Sequence, residues 1–350
     1  MVENEPINSL TSSIAIGGKI PNYTYCTFFD SGYISRGLAL IESIRAQGDE
    51  SEILVVCLDS VSQKYLDLRA KSLNLVVVPI ERVTDKFPEL LASKNTRSLV
   101  EFYFTATPFI LKYSQIGKTP DHTSIYLDAD LYFFENPKKV LIELEGTSVA
   151  LIRHDYPWFL KSLEKKYGTY NVGLLAFRNN LEGERVLDWW SKQCIEWCYD
   201  FPLDGKYADQ GYLDGFRNLG ARISELDNPG FNLAPWNTAK RKPKSIGSKI
   251  NVSNEKLTFF HFHGLKKSGK FWISSQLNYF SPLRRKTFVS LYGTYVFHLT
   301  KIEESLKELP PRALLANRAG SGLRGYIANT ARSIFKYLSV LFGQAIRDNR

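Results

Sequence analysis

Hydrophobic and polar positions change period along the first eighty residues. Tyr23–Phe29 is a β-rich apolar run that stops at Asp30-Ser31-Gly32. Ile34, Leu38, Ile41 and Ile44 then recur at helical spacing, and Gly48 ends the pattern. Ile53–Leu58 reads as a second strand, Val61–Leu73 as a helix and Leu75–Val78 as a third strand. A βαβαβ opening predicts an α/β fold, with a mostly parallel central sheet flanked by helices and right-handed crossovers. Ligands of such sheets bind at the carboxyl ends of the strands.

Further on, Ser98–Tyr113 predicts a helix with an aromatic face, kinked or started anew at Pro108. Thr147–Ile152 and Asn171–Phe177 read as strands, and Leu181–Tyr199 as a helix carrying Trp189, Trp190 and Trp197 as core rings. Lys256–Phe262 is a last strand, ending in His261-Phe262-His263-Gly264.

The most informative stretch is Ile125-Tyr-Leu-Asp128-Ala129-Asp130-Leu-Tyr-Phe-Phe134. Apolar residues on both sides mark a buried strand, and two carboxylates interrupt it. A buried carboxylate is costly unless paired, hydrogen-bonded or bound to metal. No lysine or arginine lies between Asp121 and Lys138 to pair with these two. A divalent cation resolves the cost, and magnesium or manganese would leave positions open for phosphate oxygens. Asp-x-Asp alone is a weak pattern; the alternative is a pair of ordinary turn residues at a strand end. Asp30 sits at another such end and has the same turn alternative.

The chain has 350 residues, 44% of them hydrophobic, enough for one large α/β domain. Its 22 Phe, 19 Tyr and 6 Trp suit a thick core and a cleft that stacks sugar or base rings. Four cysteines make no disulfide scaffold and read as buried thiols in a reducing cytosol. The acidic, polar start is unlike a secretory signal, and no apolar run is long enough for a membrane span. Residues 1–20 read as a polar leader, 21–305 as the catalytic domain and 306–350 as a basic amphipathic helical tail. The formal net charge is +9, and from Arg312 to Arg350 seven basic residues and one acidic residue leave +6 in the tail. A nearly neutral body argues against a nucleic-acid-binding face. Between Ser321 and Arg347 the apolar positions fall near one helical face. The tail is either a membrane-surface helix or a helix packing its stripe on the domain. In the first reading residues 312–350 hold a cytoplasmic protein at the inner, anionic face of the plasma membrane.

Four separated motifs complete the picture: Asp128/Asp130, Tyr170-Asn171-Val172-Gly173, Ala208-Asp209-Gln210-Gly211, and His261-x-x-Gly264-x-x-Lys267. In this order they resemble the retaining glycosyltransferases of family 8, the glycogenin and bacterial galactosyltransferase type, and more closely the bacterial cell-surface polysaccharide enzymes related to them. The resemblance covers roughly residues 22 to 285 and implies the GT-A nucleotide-diphospho-sugar transferase fold. It implies a metal site of Asp128, Asp130 and His261, holding Mn2+ or Mg2+. Nucleotide-sugar contacts would come from Asp30, Asp128, Gly264 and Lys267. Asp209 and Gln210 would stand beside the anomeric carbon, and Asn171, Gly173 and Trp236 would line the sugar and acceptor pocket. The partners implied are a nucleotide-sugar donor and a glycan or lipid-linked acceptor in polysaccharide synthesis.

Where the family carries an Arg on a helix that touches the donor, Glu101-Phe102-Tyr103-Phe104-Thr105 has none, and Arg97 is the substitute nearest in sequence. His263 alternates with His261 along a strand, which predicts opposite orientations. A sugar nucleotidyltransferase and a non-catalytic nucleotide-sugar-binding protein are the alternative readings. The first would want a Gly-rich phosphate loop after the first strand, and Phe28–Tyr33 offers none.

Overall fold

In the computed structural model, residues 22–306 and 334–348 are described. The leader 1–20 and the basic stretch 312–333 lie outside the described residues. The first eight strands are β1 (Tyr23–Phe29), β2 (Ile53–Cys57), β3 (Leu75–Pro79), β4 (Thr123–Leu127), β5 (Leu131–Phe133), β6 (Val149–Arg153), β7 (Tyr170–Arg178) and β8 (Ile223–Leu226). The remaining seven are β9 (Lys244–Ile246), β10 (Lys249–Val252), β11 (Glu255–Lys256), β12 (Phe259–His261), β13 (Lys266–Ser268), β14 (Phe271–Ile273) and β15 (Ala345–Arg347).

Seven strands build the central sheet in the order β3-β2-β1-β4-β7-β6-β8. Pairing is parallel from β3 through β4 and again between β6 and β8; β7 alone runs against the others. The opening is therefore βαβαβ as the sequence predicts. The Val- and Ile-rich β2 is buried at every position, which is how a strand covered on both faces reads. The two largest apolar clusters form the core of the sheet and its helices. One gathers Ile34, Leu38 and Ile41 of the helix Ile34–Ala46, and the other gathers Phe102, Phe109 and Trp190. Trp190 is fully buried and Trp189 and Trp197 pack against the same cluster, so the predicted core role of these rings holds.

The helix Leu99–Ser114 is continuous and keeps Pro108 inside it. Ser98 caps its start with Glu101 in a reciprocal capping box, so both ends of the first turn are satisfied. The helix expected over Val61–Leu73 is shorter, Ser60–Asp67, with Asp59 accepting from the Ser62 N–H at its start. The expected strand Lys256–Phe262 is broken. Glu255–Lys256 pairs with β10, whereas Phe259–His261 leaves that sheet and pairs antiparallel with β5. This exchange sets the site, because β5 follows directly on Asp130.

The end of the chain differs from the tail predicted. Residues 334–341 are helical, but Ala345–Arg347 form β15, which adds to the β13–β14 hairpin. A helical spacing of apolar residues cannot register a strand whose place is set by an edge far away in sequence. Among the described residues no helix is long and apolar enough to cross a membrane.

Candidate active site

β1, β2, β4 and β6 all point their carboxyl ends at one edge of the sheet. Asp30 follows β1, Asp59 follows β2 and Asp128 follows β4. Asp30 accepts a hydrogen bond from the Gly32 N–H at 2.9 Å and one from the Tyr103 hydroxyl at 3.4 Å. Tyr103 thus comes from the helix where an Arg was wanting.

Asp128 and Asp130 sit in the turn between β4 and β5. The Asp128 N–H donates to the Gly173 carbonyl, tying the turn to β7. On the other side β12 brings His261 opposite Leu131, and the Phe262 N–H donates to the Asp130 carbonyl. The imidazole Nε2 of His261 lies 3.0 Å from Asp130 Oδ1 and 3.7 Å from Asp128 Oδ2. Tyr126, buried on β4, donates its hydroxyl to Asp128 at 2.7 Å.

The electrostatics describe a small pool of negative charge. Burial pushes the Asp128 pKa up, the Asp130 charge adds to the rise, and His261 opposes it. Asp130 also pays for burial, but His261 beside it outweighs that and holds it down to about 2, with help from His263 and Arg36. Burial drives the His261 pKa down, yet the two carboxylates outweigh it and leave it raised. The two carboxylates thus draw positive charge toward this point, which is where a divalent ion would sit. The donor set of carboxylate oxygens and imidazole nitrogens fits manganese or magnesium. His261 Nδ1 is buried with no hydrogen-bond partner, so the ring is not locked into a purely structural role.

His263 does not face away. Ligand atoms of Asp130, His261 and His263 lie within 4.8 Å of one another. Strand geometry ends at His261, and Gly264 turns the chain with φ +71°. His263 lies beyond the end of β12, where the alternation of a strand no longer holds. A side chain at Gly264 would also meet Ser275 at 3.0 Å. Gly173 has a different reason: a Cβ there would lie 2.5 Å from Asn171 Oδ1 and 2.8 Å from His261 Nδ1.

Asn171 and Gln210 join this group. Asn171 donates its amide to Gln210 Oε1 at 3.2 Å and accepts from the Gly173 N–H at 2.8 Å. Asp209 is buried, its carbonyl held by the Trp190 indole at 2.8 Å. Burial raises its carboxyl pKa to about 7, and the Asp128 charge contributes to the rise.

Three expected residues are placed otherwise. Trp236 is only 3% exposed and presents its ring edge-on to His261 and His263, at 5.2 and 5.4 Å. It props the imidazoles and offers no free face for stacking. Arg97 donates to the Ile195 carbonyl and stacks over Tyr199 at 4.0 Å, so it serves the end of the helix Leu181–Glu196 and not the carboxylates. Lys267, on β13, pairs with Asp348 at 2.7 Å and Glu303 at 3.3 Å. The cation that sequence reading missed is Arg36. It donates to the Leu265 carbonyl at 2.9 Å and feels Asp130. Its one signal was a position in the first turn after Asp30-Ser31-Gly32.

Taken together, the sheet and this edge define an α/β protein with a carboxylate–imidazole cluster at the carboxyl ends of its strands. The chain is 31% identical over 251 residues to the uncharacterized protein YfnF of Bacillus subtilis (strain 168), covering 69% of this chain and 81% of that one. It belongs to the YfnF family. The uncharacterized protein YfnD of the same organism is 23% identical over 297 residues, covering 83% of this chain and 92% of that one. No family model matches the chain. Solved structures with partial overlays include the galactosyltransferase LgtC in complex with donor and acceptor sugar analogs. That overlay has a TM-score of 0.49 and 15% identity over 82% of this chain and 98% of that one. The glycosyltransferase GlyE of Streptococcus pneumoniae TIGR4 overlays with a TM-score of 0.45 and 15% identity, over 84% of this chain and 66% of that one. Mouse xyloside xylosyltransferase 1 overlays with a TM-score of 0.44 and 14% identity, over 69% and 98%.

Proposed function

We propose that the chain is a metal-dependent glycosyltransferase of the GT-A type. It moves a sugar, with retention, from a nucleotide-diphosphate donor to a glycan or lipid-linked acceptor in cell-surface polysaccharide synthesis. One observation carries this reading: Asp130 and His261, far apart in the chain, come within 3.0 Å of one another at the sheet edge where ligands bind, with Asp128 3.7 Å from the same imidazole nitrogen. Asp128, Asp130 and His261 would hold a divalent ion there, and that ion would supply Lewis-acid stabilisation to a diphosphate leaving group. Asn171 and Gln210 hold one another in place and present their remaining donors and acceptors to the sugar. Asp209, next to Gln210, offers the developing sugar cation a nearby carboxylate. Gly264 lets the backbone approach phosphate closely, and Asp30 stands where the nucleoside would lie. The part of the tail that precedes β15 is assigned the membrane surface. Ile334, Tyr337, Leu341 and Phe342 are exposed on its described part.

The test is a thermal-shift titration of full-length protein with nucleoside diphosphates and their sugars, with and without manganese. Stabilisation that grows with ligand concentration and needs manganese is expected for the true donor. Asp130→Ala should abolish it. Equal shifts in Asp130→Ala, or no shift with any nucleotide, would overturn the reading.

A further inference from the structure

The connection from β6 to β7, residues 154–169, stands over the same sheet edge and has no role in the reading above. Its base is closed by the His154 N–H donating to the Thr169 carbonyl at 3.0 Å. Inside it Tyr156 stacks on the His154 ring at 4.8 Å, and that ring meets Trp236 at 5.4 Å. Trp236 in turn touches His261, so three ring-to-ring steps connect this loop to the carboxylate–imidazole cluster. On its other flank the Tyr167 carbonyl accepts from Gln210 Nε2 at 2.6 Å. The loop is therefore fastened to the site on both sides.

At the surface of this anchored loop Trp158 is 87% exposed. It opens a single 3-10 turn, Trp158–Leu160, whose Leu160 is buried against Tyr156 and Trp236. Packing beneath thus holds the indole outward. An exposed Trp on a fixed loop gives apolar area at low entropy cost, and large exposed rings beside a site mark binding. Tyr167 and Tyr279, half-buried nearby, add rings that carry hydroxyls. Ring faces for C–H surfaces and hydroxyls for hydrogen bonds are what a carbohydrate presents in return. Three ring contacts of 4.8, 5.4 and 5.2 Å separate Tyr156 from His261, so a ligand that touches both the cluster and Trp158 is an extended one.

We propose that Trp158 is an outer acceptor subsite, and that the acceptor is an extended glycan whose distal sugar stacks on this indole. The proposal rests on the sugar-transfer reading. Its test uses full-length protein, without nucleotide, on an array of immobilised glycosides from one to six sugars long. Wild-type protein should bind at least one glycan of two or more sugars. Trp158→Ala should weaken that binding about tenfold, and Trp158→Phe should retain most of it. The manganese-dependent thermal shift with nucleoside diphosphates should be the same in all three proteins. Glycan binding unchanged in Trp158→Ala overturns the proposal, as does a wild-type protein that binds nucleoside diphosphate but no glycan. Trp158-dependent binding to anionic liposomes in place of glycans also overturns it, by naming a different occupant. Failure of the nucleotide shift in wild-type protein overturns the sugar-transfer reading itself.

Discussion

Asp209 shows how one buried carboxyl ties stability to the proposed chemistry. Its ordinary pKa is near 3.8, and burial, with Asp128 nearby, lifts it to about 7. A raised carboxyl pKa means that the folded protein binds a proton that the unfolded chain has already lost. The resulting stability is fully present below about pH 3.8 and is lost as the pH rises through about 7. In chelator-treated protein, urea midpoints should therefore carry a falling contribution between pH 4 and 7. Asp209→Asn, which cannot ionise, should flatten that fall. Identical pH profiles for the two proteins would show that Asp209 is solvated and ionised in the folded state. In the neighbouring Asp128/Asp130/His261 group only one carboxylate is compensated: His261 holds Asp130 down, whereas burial and the Asp130 charge raise Asp128, so removing His261 leaves both carboxylates exposed to the cost of burial.

At the scale of elements, the strands and helices that feed the site were legible because their patterns are local. β1, β2 and β3 each carry a β-branched or aromatic run bounded by turn residues, and the helices between them keep their spacing. The helix Leu99–Ser114 survives Pro108 partly because its start is well sealed. The Ser98 hydroxyl accepts from the Glu101 N–H at 3.4 Å and Glu101 accepts from the Ser98 N–H at 2.8 Å, while Glu101 also takes the Asp200 N–H. Ser98→Ala should cost about 1 kcal/mol of unfolding free energy, measured by urea denaturation. A change below a few tenths would mean that packing alone holds the first turn. What was not legible is non-local. Nothing between Lys256 and Phe262 announces that the strand changes partner at Leu257-Thr258, because β5 supplies the new edge. The convergence of Asp130 with His261 was legible through ordered motifs, but His263 was placed wrongly. Strand alternation stops at the residue where β12 stops. Arg36 was missed because its contact, the Leu265 carbonyl, lies 229 positions away in the chain.

At the scale of the whole molecule, the last described residues return to the site. β15 completes the β13-β14-β15 sheet, and Gln344 clamps the junction by accepting at its carbonyl from Ser274 Oγ and donating to the Leu283 carbonyl. Asp348 then follows β15 directly and reaches Lys267 at 2.7 Å. The family resemblance makes Lys267 a diphosphate ligand; in that role, a carboxylate of the chain's own tail holds the charge that the donor would need. Phosphate and Asp348 then compete for one ammonium, with Glu303 at 3.3 Å as a second rival. Asp348→Asn keeps the size of the side chain and removes its charge. It should tighten nucleoside diphosphate binding severalfold by isothermal titration in manganese, because the competing anion is gone. The gain should disappear when Lys267→Ala is added, since the two substitutions act through one contact. If Asp348→Asn leaves the affinity unchanged while lowering the unfolding midpoint, the pair is a strap that fastens the tail to β13. The donor diphosphate would then draw its cations from elsewhere on this edge, with Arg36 the first to substitute.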